Sequence, residues 1–127
     1  MARLTSKGGL FNDRQDIQFA DVPCPEWGDA GEPLVVRVRG LTAKEVDRYQ
    51  AGLVSFDKKG KPQPNAANAR ARLAVLGIVD DQGRRIFGDD DAGQVGDKNS
   101  AALTRVCAKI RELSGMDEEA VEEAKGN

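Results

Sequence analysis

The 127 residues carry 19 Lys and Arg against 21 Asp and Glu, a formal net charge of −2, and no histidine. A chain this long makes one ordinary domain rather than two, and its charge balance lacks the basic excess with which nucleic-acid binders hold phosphates. Apolar residues make up 39%, aromatics 5% and charged residues 31%, which predicts a lean core.

Residues 1–16 are polar, contain Gly8-Gly9 and show no periodicity, so they read as a poorly ordered arm, with Leu10 and Phe11 as the side chains able to clip it down. The domain proper is expected over 17–127. Ile17 and Phe19 alternate with polar residues up to Val22 and predict a first strand with those two on its apolar face. Pro23-Cys24-Pro25-Glu26-Trp27-Gly28 is expected to end it, because proline cannot donate to a ladder. Leu34 to Arg39 predicts a second strand, Val36 and Val38 alternating with Arg37 and Arg39. The two strands would pair as an antiparallel hairpin across a loop too long for a tight turn.

Gly40 then turns the chain, and Thr42 with Glu45 makes a T-x-x-E capping box flanked by the staple pair Leu41 and Val46. A helix is expected from Thr42 to about Val54, with Val46, Tyr49 and Leu53 on one face. Residues 56–65, with Lys58-Lys59-Gly60-Lys61-Pro62-Gln63-Pro64, read as a flexible loop. A second helix follows from about Ala66 to Val79, its stripe marked by Ala69, Leu73, Leu76 and Ile78 or Val79. Asp81-Gln82-Gly83 predicts a turn, Arg84 to Phe87 a short extended piece, and Gly88 to Lys98 an Asp-rich loop. The third helix starts at Asn99 or Ser100 and carries Leu103, Val106, Cys107, Ile110 and Leu113 on one stripe, with Gly115 as a C-terminal cap. Asp117 would cap a last short helix in an acidic tail. The expected class is α+β: a small N-terminal antiparallel β-hairpin followed by three to four α-helices.

The pattern carries little chemistry. Without histidine the usual general base, the commonest metal ligand and the Ser-His or Cys-His pairs are gone. Asp89-Asp90-Asp91 fails as an EF-hand: the fifth position from Asp89 is Gly93, the sixth Gln94 and the twelfth Ser100. Gly88, Gly93 and Gly96 do not make a phosphate-binding loop. Arg70 and Arg72 lack interleaved aromatics and read as a solvated helix face. Cys24 and Cys107 stand far apart, and no apolar stretch marks a signal peptide or a membrane span, so both are expected as reduced thiols in a cytoplasmic protein. No catalytic residue, cofactor or metal site is expected. Trp27, the only tryptophan, is either a core anchor or an exposed partner contact.

Pro25-Glu26-Trp27-Gly28, Val35-Val36-Arg37-Val38-Arg39 and Leu41-Thr42-Ala43-Lys44-Glu45 come first in a longer series of segments. Gly77-Ile78-Val79-Asp80-Asp81-Gln82-Gly83-Arg84-Arg85-Ile86-Phe87 follows, then Ser100 to Val106, then Leu113-Ser114-Gly115-Met116-Asp117 to Glu122. In this order they resemble the tail assembly chaperones of long-tailed, siphovirus-type bacteriophages, from about Ile17 to the end. The chain departs from that pattern at Ala92 to Gly96, where such proteins carry a more apolar helical turn. The resemblance implies a non-catalytic protein of the infected host's cytoplasm, absent from the mature virion. It would bind the tape-measure protein, keep it soluble and help recruit tail-tube subunits, and it leaves self-association open. No nucleic-acid or membrane partner is implied. Leu53, Phe56 and the face of the second helix, with Trp27, are the expected partner contacts. A structural tail or head-completion protein retained in the virion is the alternative.

Overall fold

The computed structural model describes residues 1–11 and 16–116. Their order is α1 (Gly8–Phe11), β1 (Phe19–Asp29), β2 (Glu32–Arg39), α2 (Ala43–Ala51), β3 (Val54–Phe56), β4 (Pro62–Pro64), α3 (Ala69–Gly77), β5 (Ile78–Val79), a 3-10 turn (Asp89–Asp91), α4 (Ala92–Val95) and α5 (Ser100–Ser114). The class is α+β, an N-terminal antiparallel hairpin followed by helices, as the pattern predicts. The acidic tail and last short helix fall outside the described residues.

The main sheet has the order β1-β2-β5, antiparallel throughout. Its inner face carries Val22, Cys24, Val36 and Val38, and α5 packs on it with Leu103, Val106, Cys107 and Ile110, all buried. Helix α3 lies against α5 and α4 and is buried on most of its surface, at Ala69, Ala71, Leu73, Ala74, Val75 and Gly77. The second helix is therefore an interior element and not an amphipathic one. It also ends at Gly77, because Ile78 turns extended and pairs with Val38.

Strand β1 has the expected period and the opposite phase. Ala20, Val22 and Cys24 face inward, whereas Phe19 lies outside with the Arg37 guanidinium 4.5 Å from its ring centre. The prolines do not end it. The Gly40 N–H donates to the Gln18 carbonyl (2.9 Å), so even-numbered residues make the bonds to β2 and odd-numbered N–H positions face the open edge. Pro23 sits at such an edge position opposite Val35, and Pro25 opens the irregularity between Cys24 and Asp29. The strands close over two residues, with Asp29 opposite Glu32, so the connection is tight after all.

The expected flexible loop at 56–65 is instead an antiparallel hairpin of β3 and β4. The Asn65 N–H donates to Leu53 O (2.7 Å) and the Asp57 N–H to Lys61 O (3.0 Å), which leaves Gln63 as the bonded residue and turns Pro62 and Pro64 outward. Asp57 Oδ1 accepts from the Lys59 and Lys61 N–H groups, and Gly60 supplies the left-handed residue at φ 81°. Residues 8–11 form a helical turn in which Leu10 and Phe11 are exposed, so they do not clip the arm to the core. The Asp-rich segment is likewise ordered, as the 3-10 turn and α4, with Ala92 and Val95 buried.

The capping box forms as expected. The Glu45 N–H donates to Thr42 Oγ1 (3.2 Å) and the Thr42 N–H to Glu45 Oε1 (2.9 Å). Arg39 grips the same carboxylate with both guanidinium nitrogens, at 2.9 and 2.5 Å. Burial works to raise the Glu45 carboxyl, but the Arg39 and Thr42 donors outweigh it and hold it below its ordinary value. Thr42→Ala is expected to cost about 1 kcal/mol, read as a lower urea midpoint with an unchanged slope. Helix α5 starts on Asn99, whose Oδ1 accepts from the Ala102 N–H, and ends on Gly115 at φ 70°.

Candidate partner-binding groove

Where β1 and β2 run into their tight turn, the surface opens into a groove of two adjoining lobes. Trp27, Leu34, Ile78 and Phe87 line both. One lobe, of about 700 Å³, extends towards Val95 and Asn99, and the other, of about 500 Å³, towards Val35 and Ile86. Each element delivers its residue for a local reason. The irregularity between Cys24 and Asp29 changes the strand's alternation and brings Trp27 to the groove. The β5 pairing fixes Ile78, and the Gly83 turn returns the chain so that Arg85 bridges to Val79 and Ile86-Phe87 run alongside. Leu34 (44% exposed), Val35 (58%) and Ile86 (55%) extend this apolar surface into solvent.

Glu26, on the wall, is clamped by Arg105 of α5. The two guanidinium nitrogens donate to its carboxylate at 3.1 and 2.8 Å, and one also donates to Pro23 O (2.8 Å). The Arg105 hydrogen bonds hold the Glu26 carboxyl down at about 2. A carboxyl more acidic in the folded state stabilises the fold above its unfolded value and loses that contribution as pH falls through its folded value. The urea-midpoint difference between wild type and Glu26→Gln is therefore expected to be constant above about pH 5 and to shrink from there towards pH 2.

The three residues singled out as partner contacts occupy different places. Trp27 lines the groove, half-buried, with its indole N–H lacking an acceptor among the described residues. Phe56 is 70% exposed on the β3–β4 hairpin, away from the groove lining. Leu53 is in the core at 2% exposure, so it offers no contact surface, and neither does the buried body of α3. Leu34, Val35 and Ile86 were missed. In the sequence Leu34 and Val35 read as strand residues and Ile86 as part of an extended piece, and only the fold sets their exposure.

The remaining candidate chemistry is engaged within the fold. Arg70 donates to Ser100 Oγ and Thr104 Oγ1, tying α3 to the start of α5. Arg72 is partly covered, donating to the Gly52 and Asn65 carbonyls and buttressing the β3–β4 hairpin, whereas Arg70 stays exposed as the solvated-face reading expects. Arg85 donates to Val75 O and pairs with Asp89 at 2.9 Å. Asp91 accepts from the Gly88 N–H. Both cysteines are free and buried; burial pushes the Cys107 thiol up to about 11, and it donates to Arg70 O. Among the described residues no three His, Cys, Asp or Glu side chains gather as a metal site, and no helix is long and apolar enough to cross a membrane. Comparisons with protein-family models, with curated proteins and with solved structures find no match.

Proposed function

We propose that this chain is a non-catalytic tail assembly chaperone of a long-tailed bacteriophage, acting in the cytoplasm of the infected host. It binds the tape-measure protein, keeps it soluble and helps recruit tail-tube subunits before leaving the particle. The observation that carries the reading is the apolar groove around Trp27, open to solvent and continuous with Leu34, Val35 and Ile86. Exposed contiguous apolar surface of this kind marks a partner site, and a long helical partner presents the matching apolar stripe. The order of segments along the chain supplies the kind of partner. Phe56, held out on an ordered hairpin, gives a second point of contact.

Co-expression with the long helical protein encoded beside it tests the reading. The expected result is a partner that is insoluble alone and soluble and co-purifying in company. Phe56→Asp is expected to weaken that co-purification while leaving the circular dichroism melt unchanged, because the ring packs on little. A partner whose solubility does not change, together with detection of this chain in purified virions by mass spectrometry, would establish the structural tail or head-completion protein instead.

A further inference from the structure

The walls of the groove carry more acidic than basic side chains. Glu26, Asp91 and Asp97 line the first lobe against Lys98, and Asp21, Asp80 and Asp81 line the second against Arg37. The fold itself uses several of these charges. Glu26 is held by Arg105, Asp80 accepts from the Gln82 and Arg84 N–H groups and from the Arg84 side chain, and Asp91 accepts from Gly88. Arg37 is engaged too, donating to Asp81 O at 2.6 Å and stacked on Phe19. Among the described residues this leaves the carboxylates of Asp21, Asp81 and Asp97 without a side-chain hydrogen bond, set against the Lys98 ammonium and the Arg37 guanidinium opposite Asp21, so the groove keeps an acidic excess. The acidic rim and the apolar floor are independent features of one place.

From this juxtaposition we infer that the groove takes a short apolar helical segment bracketed by Lys or Arg, with apolar side chains entering the two lobes and cations meeting the rim. The inference rests on the groove being the partner site proposed above, and it specifies the partner's chemistry. Lobes of about 700 and 500 Å³ are as large as clefts that take a drug-sized ligand, about 300–1,000 Å³, so each has room for the side chains of a helical turn. Helix-in-groove recognition uses anchors at i, i+3, i+4 and i+7. An acidic segment with the same apolar face would bring like charges together at the rim, and the groove should reject it.

Trp27 is the only tryptophan and lines both lobes, so its emission reports occupancy directly. The full chain is titrated with three synthetic helical peptides: one with Leu and Phe at i, i+3, i+4 and i+7 and Lys on the flanks, the same peptide with Glu for Lys, and a scrambled Lys peptide without an apolar face. The expected result is a saturable change in Trp27 emission with the first peptide alone, weakening several-fold as salt is raised to about 0.5 M. Asp81→Asn with Asp97→Asn is expected to weaken binding roughly three- to tenfold. Leu34→Asp, at an exposed site that leaves the fold intact by circular dichroism, is expected to abolish it.

Equal binding of the Glu peptide overturns the charge assignment, and equal binding of the scrambled peptide overturns the groove. An emission change that grows with protein concentration alone, and disappears when residues 1–11 are deleted, also overturns the proposal. The groove would then be filled by a second copy's arm, which carries Arg3, Lys7, Leu4, Leu10 and Phe11. The two readings fail separately. Peptide binding with a failed co-expression sinks the tape-measure partner alone, whereas co-purification that survives Leu34→Asp moves the contact out of the groove.

Discussion

Leu73→Ala is expected to destabilise the folded chain by about 2–5 kcal/mol, the range for emptying a well-packed aliphatic site. Leu73 is fully buried in α3, which packs against α5 and α4 and has six of its nine residues buried. The neighbouring elements are themselves pinned, α5 by the Arg105 clamp and the Arg70 bonds to Ser100 and Thr104, so they have little room to collapse into the cavity. For a domain whose total stability is of order 5–15 kcal/mol, that is a large fraction. For a chain of this size it should lower the melting temperature by roughly 3–5 °C per kcal/mol. Leu76→Ala on the same helix is the comparison. Leu76 is only half-buried, and the change should cost clearly less. Equal effects from the two would mean that α3 lies on the surface as an amphipathic helix, as its sequence alone implies.

That contrast shows which parts of the fold the sequence exposes. Helix α5 is fully legible: its stripe is regular, Asn99 starts it and Gly115 stops it. The passage from β2 to α2 is legible for a similar reason, since alternation and a capping box are both local devices. Helix α3 is less so, because it is buried over most of its surface and leaves only Arg70, Arg72 and Leu76 partly or fully open, too few to give a clear period. Strand β1 hides its phase behind small inward residues, Ala20 and Cys24, while the bulky side chain at its start, Phe19, pairs with a cation outside.

The prolines mislead in an instructive way. Both P-x-P segments, Pro23-Cys24-Pro25 and Pro62-Gln63-Pro64, lie within strands, because a spacing of two puts both rings on the same side of the ladder. At an open edge that arrangement also blocks strand addition, so it is a device for keeping sheets apart as much as a breaker. The groove was half legible. Trp27 stands out as a lone tryptophan, but Ile78, Ile86 and Phe87 come to it only through the β5 pairing and the Gly83 turn.

Gly40→Ala is the second substitution with a large expected effect, about 2–4 kcal/mol. Gly40 looks like a turn glycine, yet its requirement is one of space. A methyl group there would lie 2.6 Å from the Leu113 carbonyl oxygen and 3.0 Å from its carbon, both backbone atoms at the end of α5. The next residue fastens the same contact: the Leu41 N–H donates to Ser114 Oγ at 2.8 Å, and that hydroxyl donates to Ile110 O at 2.6 Å. Pushing α5 away would therefore strand the Leu41 N–H in a part-buried position as well as opening the sheet–helix seam.

Gly77 makes the contrast that tests the reasoning. A methyl there would also clash, at 2.5 and 2.8 Å, but with the Ile110 side chain. Ile110→Val should therefore recover part of the stability lost in Gly77→Ala, whereas Leu113→Ala should recover almost none of that lost in Gly40→Ala. Denaturation midpoints of the four single and two double variants decide it, the coupling term being the readout. Recovery at Gly40 by trimming Leu113 would show that side chains, not backbones, set the approach of α5 to the strand–helix junction.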